Sequence, residues 1–351
     1  MHKFKLVPML LMIFVLSSSI GGKEELKGDT TAETVVAVNP DFFLEGTKVS
    51  TVPCTLSDGT KTTCYQIVAG TPADHDMGPW CPDNIADGAE AGGIWLENGE
   101  VHDVDGEFIR NLATFYNDDS WLMYDANGDI YVTNTEEDCI NAANPNVGEA
   151  YKNFCVECIP DYIADVTRTW LIPTKPVKLT KSAYFARGGG GPGGAGGRPE
   201  PGQRPERGDR PAPGNRPERR QEAMGFGPQT RGIAFNGVEF SASAPVDNIL
   251  GAYTIAPFDD AGGHINVHQG YHYHAATGVS TQIKQKDGHA AMIGYAMDGH
   301  GIYAQLNEDG NEPADLDGCR GHYDDVRGYH YHVDAPGANN FINCLAGAYI
   351  T

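Results

Sequence analysis

From about residue 40 to residue 165, apolar and polar positions alternate in short runs. TCYQIVAG, GGIWLENGEVHDVDGEFI and SWLMYDANGDIYVT all follow the two-residue period of a half-buried strand. Asn98-Gly99, Asp105-Gly106 and Asn127-Gly128 stand between the runs as turns. TRTWLIPTKPVKLTKSAYF and RGIAFNGVEFSASAP read the same way, rich in β-branched and aromatic residues. Asn236-Gly237 and Asp298-Gly299 each predict a two-residue hairpin. Helical signals are confined to EEDCINAANPNVGEAYKNF, which predicts one or two short helices. The expected fold is mainly β: a disulfide-stapled, β-rich sandwich or barrel-like unit with few short helices and a long disordered insertion.

The insertion is the Gly, Pro and Arg-rich arm at residues 188–230, which has too little apolar surface to bury. Its 7 arginines against 5 acids make it slightly basic in an otherwise acidic chain. Strand-like segments flank it on both sides, so it reads as a passive loop within one β-rich unit. At the other end, Lys3 and Lys5 precede an apolar run over residues 6–16, the layout of a secretory signal peptide and too short for a comfortable membrane span. The expected organisation is a signal peptide at 1–22, a β-rich region at 23–166 holding most cysteines, and a second region at 167–351 interrupted by the arm.

Eight cysteines in a chain expected to be exported favour disulfides. Cys54 and Cys64 bracket a Ser-Asp-Gly turn and predict a stapled hairpin. Cys319 and Cys344 are the two C-terminal cysteines and are expected to pair. Cys81, Cys139, Cys155 and Cys158 should supply two more bridges of undetermined connectivity. Cys155 and Cys158 form a C-x-x-C, but without the strand-then-helix context of a redox site. The formal charge of −22 opposes binding to nucleic acid or anionic lipid. Residues 125–129, DANGD, lack the distal glutamate of a calcium loop and read as a turn. A calcium site through Asp309, Asp315 and Asp317 has no spacing rule behind it.

Nine of the twelve histidines lie between residues 264 and 332. GHINVHQGYHYH recurs 58 residues later as GHYDDVRGYHYH, with seven identities in twelve columns. His264, His272 and His274 map onto His322, His330 and His332. On a strand, His272 and His274 share one face while Tyr271 and Tyr273 share the other, and the same holds for the second copy. Two imidazoles on one strand face can chelate one ion, and two such strands brought together could offer four. The expected ligands are His272, His274, His330 and His332, with His264 and His322 as further candidates. Such a site suits Zn(II) or Cu(II). Asp298 and Asp324 are candidates to orient an imidazole through its second nitrogen.

The two GYHYH copies, FNGVEF, GYAMDGHGIYAQL, DLDGCRGHYDDVRGYHYHV and INCLAG together resemble the YHYH-domain proteins. The resemblance covers roughly residues 232–348 and extends before the arm from about residue 167. It implies an exported, mostly bacterial kind of protein, and it supplies no catalytic residue. His300 stands where the pattern has an apolar or aromatic residue, which weighs against a ligand role for it.

The leading functional expectation is an exported metal-binding protein whose partner is a metal ion. A secreted metalloenzyme, hydrolase or copper oxidoreductase, would use the same histidines around an open coordination position. A non-metal module for glycans or partner proteins would use them only as a cleft lining. No nucleophile elbow, phosphate loop or paired-carboxylate motif supports the familiar hydrolase classes.

Overall fold

The computed structural model describes residues 33–70, 74–78, 80–142, 150, 152–185 and 229–351. The expected signal peptide and nearly all of the expected disordered arm lie outside these residues. Thr34–Thr351 forms one unit. Its main interior takes residues from Val38 to Tyr349, so segments on both sides of the arm share a core.

The strands in chain order are β1 (Lys48–Thr55), β2 (Lys61–Ala69), β3 (Ile94–Glu97), β4 (Glu100–Asp103), β5 (Arg168–Pro173), β6 (Lys178–Tyr184), β7 (Gly232–Ala234), β8 (Glu239–Phe240), β9 (Gly263–Asn266), β10 (Gly270–Tyr273), β11 (Met292–Ala296), β12 (Gly301–Tyr303), β13 (Gly321–Asp324), β14 (Gly328–His332) and β15 (Cys344–Gly347). Three short α-helices are described: α1 (Gly106–Phe115), α2 (Glu136–Asn141) and α3 (Val246–Leu250). The protein is mainly β, as the alternation predicts. The β3–β4 hairpin turns at Asn98-Gly99, both at positive φ. Asp105-Gly106 does not make the turn expected of it. The Asp105 carboxylate accepts from the Phe108 amide and caps α1, whose Ile109 and Leu112 enter the core. An Asp-Gly pair serves either role, and the buried helix face decided this one.

All eight cysteines pair: Cys54 with Cys64, Cys81 with Cys155, Cys139 with Cys158, and Cys319 with Cys344. The two cysteines of the C-x-x-C therefore bridge to different partners. β6, before the arm, pairs antiparallel with β15 at the far end of the chain.

An eight-stranded sheet runs in the order β13-β14-β12-β11-β7-β8-β10-β9. At its centre β7 and β11 pair antiparallel, with Ile233 opposite Tyr295. Each continues outward through a hairpin partner, then a parallel strand, then an antiparallel edge strand. The two halves are equivalent: Gly232, Ala234 and Gly237 match Gly294, Ala296 and Gly299 at an offset of 62 residues. Adjacent antiparallel strands are exchanged by a two-fold axis perpendicular to the sheet, so equivalent side chains leave on the same face. The 58-residue histidine repeat is the outer part of this larger duplication.

The tyrosine face repeats as faithfully. Tyr271 donates to Asp259, 2.5 Å, and Tyr329 to Asp317, 2.9 Å. Each aspartate also accepts the amide of the glycine that opens the edge strand, Gly263 or Gly321, at 3.0 Å. A Cβ on those glycines would lie 2.3 Å and 2.1 Å from the tyrosine oxygen, so only glycine lets the ring cross the edge strand. Tyr273 and Tyr331 point to Asn236 and Asp298, equivalent residues of the two central hairpins. With the tyrosines so anchored, the histidines are held on the opposite face.

Candidate metal centres

Each GYHYH strand is clamped between an edge strand and a parallel neighbour. His272 lies opposite His264 in the β9–β10 pair, and His330 opposite His322 in the β13–β14 pair. The histidine faces do not close on one ion. β10 and β14 are five strand steps apart, roughly 24 Å along the sheet at the usual spacing. The structure instead builds two clusters: His264, His272 and His274 in one half, and His289, His322, His330 and His332 in the other. All six sequence-derived histidine candidates fall into them, three in each.

In the four-histidine cluster every Nδ1 is committed. His289 donates to the Ala290 carbonyl, 3.1 Å, His330 to Gly328, 2.9 Å, and His332 to Ala304, 2.9 Å. His322 Nδ1 meets the Asp315 carboxylate at 2.9 Å. Carbonyl and carboxylate oxygens only accept, so each Nδ1 carries the proton and each Nε2 presents a lone pair. Those four Nε2 atoms face one another: His289 to His330 is 3.0 Å and His322 to His332 is 3.2 Å. With all four imidazoles neutral, no proton is left to bridge them. Four lone pairs converging in a part-buried site repel unless a cation stands between them. An ion bound tetrahedrally at about 2.0–2.1 Å sets its ligand nitrogens about 3.3 Å apart.

The three-histidine cluster has one position fewer, and two of its Nδ1 atoms are committed. His272 Nδ1 donates to Gly270, 3.1 Å, and His274 Nδ1 to Ala242, 2.6 Å. His264 Nε2 lies 3.1 Å from His272 Nε2 and 3.2 Å from His274 Nε2. The Phe258 ring packs against His264 and His274 on one side. On the other is a cavity of about 560 Å³ that all three histidines line.

The electrostatics favour the neutral form of six of these imidazoles. Burial pushes His332 down to about 3, with the neighbouring imidazoles adding to it against the Ala304 hydrogen bond. Burial likewise brings His330 to about 4. His264 and His274 are held well below the ordinary value by burial and then by neighbouring histidines, and His272 and His289 are lowered chiefly by burial. Neutral imidazole is the form that binds metal, so protons compete weakly here.

Sequence reasoning missed His289. It sits in a loop, where strand alternation has nothing to say. The one signal was the Asp-Gly-His triplet, which also occurs at Asp298-Gly299-His300. His300 lies outside both clusters, its Nδ1 on the Tyr329 carbonyl at 2.9 Å. Asp298 is not an imidazole-orienting residue. It lies on the tyrosine face, accepting from the Tyr331 hydroxyl and the Gly347 amide. Asp324 approaches the His330 Nε2 at 4.0 Å but is bound to Arg327. The carboxylate behind a ligand is Asp315, which the sequence suggested only for calcium. Asp309, Asp315 and Asp317 form no joint site: they serve Asn311, His322 and the Tyr329–Gly321 corner respectively.

Arg327 holds the loop that carries His289. Its buried guanidinium bonds both Asp287 oxygens, 2.5 Å each, and Asp324, 2.6 Å, tying the loop to the β13–β14 hairpin. Arg327→Met should weaken metal binding at this cluster about 10- to 100-fold, the range for losing an orienting contact, without changing the number of ions bound at saturation. Competition titration against a chromophoric chelator reads this, and an unchanged affinity would show the clamp is irrelevant to the ligand.

Residues 213–315 match the family model described as YHYH protein. The match agrees with the resemblance carried by the motifs; it spans the first GYHYH copy and His289 but ends before the second copy. No curated protein and no solved structure matches the chain. No helix among the described residues is long and apolar enough to cross a membrane.

Proposed function

We propose that this is an exported metal-binding protein with two transition-metal centres, one in each half of the duplicated sheet. His289, His322, His330 and His332 hold one ion, and His264, His272 and His274 hold the other. The donor sets are all imidazole, which suits Zn(II) or Cu(II) and disfavours the oxygen-seeking Mg(II) and Ca(II). The observation that carries this reading is the commitment of all four Nδ1 atoms in the larger cluster, which leaves four facing lone pairs with no proton to share. Four disulfides suit an oxidising compartment, and with the cysteines paired no thiolate competes for the ion. Export brings the chain to metal from outside the cell.

The test is elemental analysis of the chain purified from an exporting host without a histidine tag. The expected result is two equivalents of zinc or copper per chain. Protein that carries no transition metal, and takes up none on dialysis against zinc or copper, would sink the proposal and favour a binding module with a histidine-lined cleft.

A further inference from the structure

The two clusters differ where the duplication has diverged. The larger has a fourth imidazole, His289, from the loop before β11. Among the described residues the smaller cluster has three imidazoles and no fourth, and the cavity of about 560 Å³ opens beside them. In the larger cluster, His330 lines a separate cavity.

The lining of the smaller cluster's cavity indicates what fills the vacancy in the coordination shell. Among the described residues it has no lysine, arginine or carboxylate; Ser241, Ser243, Asn266 and Gln269 supply polar groups, and Ile140 and Val156 apolar surface. Glu239, behind His272, is within 3.7 Å of Arg168, and its oxygens accept from Thr230 and Gln269. Three neutral imidazoles around a divalent cation leave the site two positive charges with no carboxylate directed at the ion. Hydroxyl and amide donors stand around it.

We infer that the metal bound by His264, His272 and His274 keeps an exchangeable coordination position facing this cavity, and that the position takes a small oxyanion or carboxylate in place of water. The inference rests on the two-centre reading above. The four-histidine centre is coordinatively closed and structural; the three-histidine centre is the one that meets a ligand.

Azide is the probe, added to the full chain loaded with Cu(II) and followed by its charge-transfer absorption near the ultraviolet edge. One azide should bind per two copper ions, and acetate and phosphate should displace it. His264→Ala should abolish the wild-type band, whereas His289→Ala should keep that band and, by leaving three imidazoles in the larger cluster, add a second azide. Both substituted histidines are only half-buried, which favours folding, and the wild-type stoichiometry needs no variant at all. Two azides per wild-type chain, or none with two coppers bound, would overturn the inference, as would a wild-type band lost with His289→Ala alone. A chain that binds no copper fails at the metal count, before azide is added, and overturns the two-centre reading itself.

Discussion

The double variant His330→Ala/His332→Ala is expected to lose one of two bound metal ions and keep the other. These two are the buried histidines of the four-histidine cluster, placed two residues apart on β14 by strand alternation. Removing both leaves His289 and His322, too few donors to hold a divalent ion against water. The other centre is five strand steps away and contributes no side chain to this one. Metal-linked stability should fall with the ion. At free metal a thousand-fold above Kd, one site adds about 4 kcal/mol, because only the folded chain assembles it. The substitutions also remove buried side chains, so the informative quantity is the shift in denaturation midpoint between metal-loaded and chelator-treated protein, compared across wild type and variant. The wild type should show two contributions and the variant one. A variant that still binds two ions, or keeps the full metal-dependent shift, would dismiss the assignment.

Much of this centre is readable before any fold is known. Alternation divides YHYH into a histidine face and a tyrosine face whatever the strand's neighbours are, and the structure keeps that division at both copies. The 58-residue repeat also announces two equivalent pieces. What alternation cannot express is which strands are adjacent. The expectation that both histidine strands could meet at one ion failed on that point: β7 and β11 took the middle of the sheet and sent the two copies outward. That pairing is set by Ile233 against Tyr295 and by small residues, Gly232, Ala234, Gly294 and Ala296, which pack closely across the two-fold axis. Such residues carry little signal in a hydropathy pattern. His289 was hidden for a related reason. Its position depends on Arg327 reaching from one hairpin to the aspartate of another loop, a contact 40 residues apart in sequence. Asp298, two positions before His300, carries both a turn role and a candidate role in orienting an imidazole, and the sequence cannot choose between them. The buried Tyr331 on β14, the strand paired with β12, claims Asp298 instead.

Cys81→Ser/Cys155→Ser should be the most damaging disulfide removal, costing about 4 kcal/mol on loop-closure entropy alone. The bridge closes 74 residues, including β3, β4, α1 and α2. Cys155 is fully buried and sits between two neighbours: its amide donates to the Tyr131 carbonyl and its carbonyl accepts the Thr133 amide, while the adjoining Val156 amide reaches Ile255. The bridge thus fastens the 74-residue segment to the chain that leads into β9 and the three-histidine centre. Val156 and Cys158 line that centre's cavity, so loosening here should also weaken ligand binding there. Cys54–Cys64 provides the contrast. It closes only 10 residues of a hairpin that β1 and β2 already zip along eight paired positions. Its removal should cost about 2 kcal/mol less, since the entropy of the closed loop grows with the logarithm of its length. Denaturant midpoints of the two double variants under non-reducing conditions, with matched slopes, compare them directly. Equal losses, or a larger loss for the short hairpin bridge, would mean that the 74-residue segment is held by its packing rather than by its staple.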